Sequence, residues 1–358
     1  MVNLEVKTSV NSYPIYVDEN IRHQTKHFLP KKYSVIHIVT DKRVADLYLD
    51  DLKESLEGHP HVFHSIIEEG EKSKCVADFE YLHTRSIQFG LDRESLVIAL
   101  GGGVVGDLAG FVAATYMRGI DYIQVPTTIL AHDSSVGGKV AINHALGKNL
   151  IGSFYPPEAV IYDVQTLQTL PAKEVRSGYA EIVKEALIAD KGLFDNIMQT
   201  KLSQVTNDTL KDHIFRGIKI KTHFVQADEK EKGIRAHLNF GHTLGHALEA
   251  KYGYGELAHG EAVAIGMLFA MEVSNTIYSK NLPVELLYKW LKDNGFPLLI
   301  KEINIDSLFN QMKLDKKVVN NQIQLVLLKD IGNPVTLELS DEDLQNYLET
   351  FINKMTKI

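Results

Sequence analysis

From Ser95 to Leu100 (SLVIAL) the chain is apolar after a single serine, and it then reads Gly101-Gly102-Gly103-Val104-Val105-Gly106-Asp107 before a helix-like stretch, Leu108 to Tyr116. A short apolar run that enters a helix through closely spaced glycines predicts a buried strand, a tight turn and a helix start. A strand apolar on both faces needs helices above and below it and parallel neighbours beside it. The upstream chain supplies those neighbours. Ser34–Thr40 (SVIHIVT) and Val62–Ile67 are further strand patterns, separated by helical stretches at Val44–Leu56 and Val76–Phe89. Strands alternating with helices imply right-handed βαβ units and a parallel sheet. Before them, Leu4–Val10 and Tyr13–Val17 read as a hairpin around Asn11-Ser12, and Asp18–Phe28 reads as a short helix.

After Asp163 the pattern changes to mostly helix: Glu174–Ala189, Leu202–Asp228, Leu238–Lys251, Glu261–Ser279, Val284–Asn294 and, near the end, Asp341–Lys354, with a lone strand pattern at Gln322–Leu328. A chain of 358 residues suggests two domains, and this change places their boundary between Leu167 and Pro171. A net charge of -8 argues against a nucleic-acid binder. The single cysteine, Cys75, excludes an intrachain disulfide and a cysteine-based zinc site. The N-terminus alternates like a strand rather than carrying a basic head and apolar signal core, and no apolar run reaches membrane-spanning length. The expected location is the cytoplasm, with no membrane partner.

Three stretches carry candidate chemistry. Gly101, Gly103 and Gly106 satisfy G-x-G-x-x-G between a strand and a helix, a turn in which backbone N–H groups can meet a pyrophosphate. The acidic residue usually found about 20 positions on is missing, since Asp121 comes too early. Asp41, at the end of SVIHIVT, and Glu71 and Lys74 in EEGEKSK are the candidates for the ribose contact, although such an acidic-basic run is equally a solvated loop. Val125–Asn143 and Gly147–Pro157 crowd Asp133, Lys139, Asn143, Lys148 and Asn149 among glycines. That composition predicts either an ordinary surface loop or one that holds an anion. The third stretch begins at Ser177–Ile188 (SGYAEIVKEALI), where Glu181 and Lys184 share a helix face, so the carboxylate pairs with the lysine or with a metal. Downstream, His242 and His246 are four apart and share a helix face. Gly253 and Gly255 break that helix, and His259 opens the next, which can bring it back toward His242. One such histidine alone is an ordinary side chain. Three of them, with Arg235 and Asn239 just upstream, point to a metal site that binds an anionic ligand.

Taken in order, EEGEKSK, GGGVVGD, VPTT…SSVGGK, GKN, SGYAEIVK, DEKEKGIRAHLNFGHTLGHALE and HGE resemble the 3-dehydroquinate synthase family of sugar-phosphate cyclases, from EEGEKSK to Asp315-Lys316-Lys317. The resemblance implies an N-terminal Rossmann-like NAD-binding domain, residues 1–168, and a mostly helical metal- and substrate-binding domain, residues 169–358. It implies zinc, or cobalt in its place, on Glu181, His242 and His259. It gives His246 to the substrate, so the i, i+4 pair is not a pair of ligands. For NAD it implies Asp41, Glu71 and Lys74 at the adenosine end, then Gly102, Gly103, Gly106 and Asp107 at the pyrophosphate turn. Thr127, Thr128, Lys139 and Lys148 follow, with Thr166, Leu167, Gln168 and Thr169 at the domain junction. For substrate it implies Asp133, Lys139, Asn149, Lys184, Lys221, Arg235, Asn239, His246 and one of Lys316 and Lys317, with Arg118 reaching across a homodimer interface. The stretch ILAHDSSVGGK is one residue shorter than the family pattern LLAxVDSSVGGK, a departure that falls at His132 and Asp133.

The implied activity is that of a carbon–oxygen lyase acting on phosphates. Its substrate is a carboxylated sugar phosphate, 3-deoxy-D-arabino-heptulosonate 7-phosphate, and its products are 3-dehydroquinate and phosphate, in the shikimate pathway to chorismate and the aromatic amino acids. The sequence of steps is transient oxidation at C5 by NAD, phosphate elimination, re-reduction, ring opening and intramolecular aldol closure. Nearby alternatives are a 2-deoxy-scyllo-inosose synthase type of cyclase and a metal-dependent polyol dehydrogenase. From a different class comes a non-catalytic NAD- and metal-binding regulator.

Overall fold

A computed structural model describes residues 1–252, 256–298, 304–313, 318–319 and 322–356. It divides into two compact units. The first comprises Met1–Leu170 and Asn207–Glu229. The second comprises Pro171–Thr206 and the described part of Lys230–Ile358. The helix Asn207–Ala227 therefore packs with the first unit, although it follows the expected boundary in chain order.

The first unit is built on a seven-stranded sheet. Its strands are β1 (Val2–Lys7), β2 (Ser12–Asp18), β3 (Ile36–Asp41), β4 (Val62–Ile67), β5 (Leu96–Gly101), β6 (Asp121–Pro126) and β9 (Ala159–Asp163), in the order β1-β2-β9-β6-β5-β3-β4. Only the β1–β2 hairpin is antiparallel; every other pairing is parallel. All six residues of β5 are buried, as its apolar run requires. Successive residues point to opposite faces, so Val97 and Ala99 join Leu108, Val112 and Tyr122 on one side. Leu96, Ile98 and Leu100 join Ile36, Ile38 and Leu52 on the other.

Local detail departs from the expectations in four places. Ile21–Phe28 forms a 3-10 helix rather than an α-helix. The stretch that follows β3 is helical from Lys42 to Ser55 but widens into a π-type turn at Ala45–Leu49. The expected Leu202–Asp228 helix splits into a short 3-10 turn, Leu202–Gln204, and Asn207–Ala227. The polar, glycine-rich stretch expected as loop forms a two-stranded antiparallel hairpin, β7 (Lys139–His144) and β8 (Gly147–Phe154). Its side chains alternate too weakly to read as strands, and the pairing comes from backbone bonds that any side chain can accompany.

In the second unit the helices Ala172–Ala189, His242–Tyr252 and His259–Tyr278 pack together. The last of these is buried from Gly260 to Met271, which accounts for its apolar character all round. The strand pattern at Gln322–Leu328 is not alone. It lies in β11 (Gln322–Asp330), between β10 (Val318–Val319) and β12 (Asn333–Leu339). Among the described residues no helix is long and apolar enough to cross a membrane. Gly253, Gly255 and the Asp315-Lys316-Lys317 run lie outside the described residues.

Candidate active site

In the first unit β5 delivers Gly101 into the turn, and the helix Gly103–Thr115 starts immediately with Gly102 as its cap. The glycines are required here by space. A Cβ on Gly102 would stand 2.9 Å from Thr128 Cγ2, one on Gly103 3.1 Å from Ser134 Oγ, and one on Gly106 2.8 Å from the Gln124 amide oxygen. The turn is thus lined by hydroxyls, and the buried Thr127, Thr128 and Ser134 side-chain oxygens have no hydrogen-bond partner among the described residues. Unsatisfied donors beside open helix N–H groups suit an oxyanion. Thr127 is held in place by its N–H, which donates to the Gly101 carbonyl at 3.0 Å.

Asp107, at the start of the second turn of that helix, pairs with the buried Lys74. Burial pushes the Asp107 carboxyl up, and the Lys74 ammonium opposes that shift. Lys74 also donates to Asn149 Oδ1 at 2.5 Å, and Glu71 accepts from Asn143 Nδ2 at 2.7 Å. These contacts join the expected adenosine end, the glycine turn and the hairpin. Asp41 caps the short helix after β3, accepting from the Val44 N–H at 2.9 Å, and burial raises its pKa. Thr166 and Leu167 are buried. Thr169 shares a hydrogen bond of 2.7 Å with Tyr48, and Gln168 donates to Asn207 at 2.5 Å.

Lys221, buried on the helix Asn207–Ala227, binds Asp133 through both its backbone carbonyl and its carboxylate, the latter at 2.8 Å. The shortened stretch at His132 thus still delivers Asp133 to a lysine of the same set. Lys139 is exposed on β7 and Lys148 partly buried on β8. Arg118 does not join this group. It is exposed beyond the far end of the Gly103–Thr115 helix, whose 13 residues span about 20 Å.

The second unit holds the histidines. Three glycines let its helices touch. A Cβ on Gly260 would lie 1.9 Å from the Ser177 carbonyl oxygen, one on Gly266 1.9 Å from the Gly241 carbonyl oxygen, and one on Gly245 3.1 Å from Val263. Ser177 is one turn before Glu181 on its helix, and Gly260 follows His259, so the close crossing sets carboxylate against imidazole. Glu181 Oε1 lies 3.6 Å from His242 Nε2 and 3.3 Å from His259 Nε2, while its Oε2 accepts from Lys184 at 2.6 Å. The lysine alternative read for Glu181 is thus realised by one oxygen, while the other oxygen faces the two imidazoles. His246 completes the group. One ring nitrogen from each of His242, His246 and His259 lies within 4.8 Å of the others.

The tautomers follow from the neighbours. His242 Nδ1 faces the Phe240 carbonyl at 3.2 Å, so it carries the proton and Nε2 carries the lone pair. His259 differs: its Nδ1 faces Glu249 Oε2 at 3.2 Å and its Nε2 faces Glu181 Oε1 at 3.3 Å, so each ring nitrogen has a carboxylate to donate to. Burial lowers the pKa of His259, but hydrogen bonds that the ring donates to Glu181 and Glu249 outweigh it and hold the imidazole up at about 9. Imidazole nitrogens with a carboxylate oxygen form a donor set suited to zinc or cobalt. Glu249 is the member of this cluster that the sequence reading did not single out. It sits seven residues after His242 and three after His246, on the same helix stripe, and the spacing H-x-x-x-H-x-x-E was the available signal. Nearby, Arg235 is buried and Asn239 donates to Glu231 at 2.8 Å.

A parallel sheet that ends in a glycine turn, combined with a helical unit holding imidazoles against a buried glutamate, defines the class of Rossmann-like chains with a helical C-terminal part. Solved members of that class include a 2-deoxy-scyllo-inosose synthase complexed with carbaglucose-6-phosphate, NAD+ and Co2+, similar at a TM-score of 0.88 and 26% identity over 98% of this chain and 100% of that one. A 2-epi-5-epi-valiolone synthase from Streptomyces hygroscopicus, solved with NAD+ and Zn2+, is similar at 0.85 and 25% identity over 98% of each chain. An iron-containing alcohol dehydrogenase, at 0.69 and 17% identity over 95% of this chain and 97% of that one, shares the fold alone.

Within this class, the chain belongs to the 3-dehydroquinate synthase family. The family models for the N-terminal and C-terminal parts match residues 64–177 and 178–318. A 3-dehydroquinate synthase of Oceanobacillus iheyensis is 52% identical over the full length of both chains, and one of Halalkalibacterium halodurans is 48% identical over 99% of each.

Proposed function

We propose that the chain converts 3-deoxy-D-arabino-heptulosonate 7-phosphate to 3-dehydroquinate and phosphate. The observation that carries this reading is identity of 52% across the entire length of a 3-dehydroquinate synthase. Likeness to the 2-deoxy-scyllo-inosose synthase stands at half that value. The residues present fit both groups that the reaction needs. The glycine turn with its unsatisfied hydroxyls is a cradle for a pyrophosphate, and the helical unit offers nitrogen and carboxylate donors to a divalent ion.

Bound NAD supplies reversible hydride acceptance at C5, which makes the adjoining C–H acidic enough for phosphate to leave. A bound zinc or cobalt ion supplies Lewis acidity to the substrate hydroxyls. Gly102, Gly103, Gly106 and Asp107 hold the nucleotide's pyrophosphate with Thr127 and Thr128, with Asp41, Glu71 and Lys74 around its adenosine side, Lys139 and Lys148 from the hairpin, and Thr166–Thr169 beside it. Glu181, His242 and His259 hold the ion. Glu181 oxygen and both Nε2 atoms already point at one another, whereas His246 contributes to substrate. Lys221 and Arg235 take the substrate carboxylate, and Lys139, Asn149, Asn239, His246 and Arg118 take its phosphate. Asp133 orients Lys221, and Lys184 holds the second oxygen of Glu181. Rate then comes mainly from preorganised charge and position.

This chemistry assigns the nucleotide to residues 1–168 and the ion to 169–358, with Lys221 contributed to substrate by a helix that packs with the first unit. The chain works as a cytoplasmic homodimer. Support for pairing comes from β8, whose outer edge has no strand beside it among the described residues and whose Leu150, Ile151 and Phe154 are exposed, as are Leu146 in the adjoining turn and the nearby-in-sequence Met117 before Arg118.

The decisive experiment follows phosphate release from the heptulosonate phosphate together with absorbance at the NADH wavelength. Release is expected to stop with chelator, to return with zinc, and to proceed without net NADH. Steady accumulation of NADH would identify a polyol dehydrogenase instead.

A further inference from the structure

The β7–β8 hairpin is irregular at one place. Ile142 pairs with Ile151 and His144 with Gly147, so a single residue on β7, Asn143, stands opposite Lys148, Asn149 and Leu150 on β8. Such bulges redirect side chains and recur beside active sites. Here the bulge takes the Asn143 N–H out of the ladder, and it donates to the Lys74 carbonyl at 2.8 Å. The Asn143 side chain uses both ends of its amide. Nδ2 donates to Glu71 at 2.7 Å, and Oδ1 accepts from the Asn149 N–H at 3.0 Å. Asn149 adopts a left-handed φ of 55°, which asparagine tolerates better than most residues, and its Oδ1 accepts from Lys74 Nζ at 2.5 Å. Lys74 closes the loop onto Asp107.

We infer that Asn143 is a positioning residue that locks the nucleotide-side segment Glu71–Lys74 to the part of β8 that carries Asn149, given above to the substrate phosphate, so that filling either site tightens the other. The inference rests on the roles proposed above for Glu71, Lys74 and Asn149. The physical reason is a shared set of bonds. Lys74 fixes the acceptor end of the Asn149 amide and so sets the orientation of that side chain. Nucleotide that orders Glu71 and Lys74 also orders Asn149 through Asn143, and reciprocity makes phosphate order the nucleotide side by the same factor.

The test titrates the zinc-loaded full chain with NAD and with inorganic phosphate, each with and without the other, by calorimetry. In the native protein NAD is expected to tighten phosphate binding at least fivefold, the low end of ordinary coupling. Asn143→Ala is expected to weaken each ligand alone by about fivefold to tenfold, as for loss of a hydrogen bond, and to bring the mutual tightening close to onefold. Asn143→Asp is expected to be worse, because it sets a second carboxylate against Glu71. Adding Glu71→Gln to it reverses donor and acceptor and should recover phosphate affinity, a rescue that a merely structural role does not predict. Coupling retained in Asn143→Ala, or absent from the native protein, overturns the inference. A native protein that binds no NAD overturns the proposed function as well, so the two failures are distinct.

Discussion

His259 stands between two carboxylates, and what it does depends on which nitrogen each one takes. Glu249 holds Nδ1 and Glu181 faces Nε2, so the orientation of the ring is fixed from both sides. Outer carboxylates of this kind raise ligand basicity, and their loss ordinarily costs ten- to a hundredfold in metal affinity. Glu249→Gln is therefore expected to lower zinc affinity by about that factor, measured by competition with a chromogenic chelator; native affinity in the variant would remove Glu249 from the site. At this scale the sequence was partly legible. The i, i+4 histidines and the return of His259 could be read from helical spacing. Glu181 could not be tied to them that way, because it lies on a helix some sixty residues upstream and periodicity says nothing about which helices meet. Family motifs made that connection, and Glu249 escaped both routes because a glutamate near a helix end ordinarily faces water.

Between elements, the contact that matters is the crossing of Ala172–Ala189 with His259–Tyr278. With Ser177 oxygen 1.9 Å from where a Gly260 Cβ would sit, the two backbones have no room for a methyl group. Gly260→Ala must separate the helices and is expected to destabilise the protein by about 1–3 kcal/mol or more, as overpacked interiors do. The same displacement carries His259 away from Glu181. Denaturant unfolding and zinc content should fall together, and unchanged values of both would show that the crossing is looser than it looks. The parallel strands were legible for the opposite reason to the hairpin. β3 and β5 are buried on both faces, so burial wrote itself into composition as unbroken apolar runs. β8 gains little from burial, and β12, with Pro334 near its start, pairs on one side alone among the described residues. Strands held mainly by backbone bonds leave a faint trace in side chains.

At the scale of the assembled molecule, the exposed apolar row on β8 is out of keeping with a chain that otherwise carries a net charge of -8. A second copy covering that row, as proposed above, would account for it and would give Arg118 the role that its own glycine turn is too distant to give. Sedimentation of the native chain at micromolar concentration is expected to give a dimer, and Leu150→Lys with Phe154→Lys a monomer. A native monomer would leave the row unexplained and Arg118 without a task. Lys148 and Asn149 ride on the very strand whose outer side is in question. If a twin braces that strand, turnover per chain should fade on dilution while circular dichroism stays constant, and the amount of enzyme in a cell would tune how well each copy works as well as how many there are.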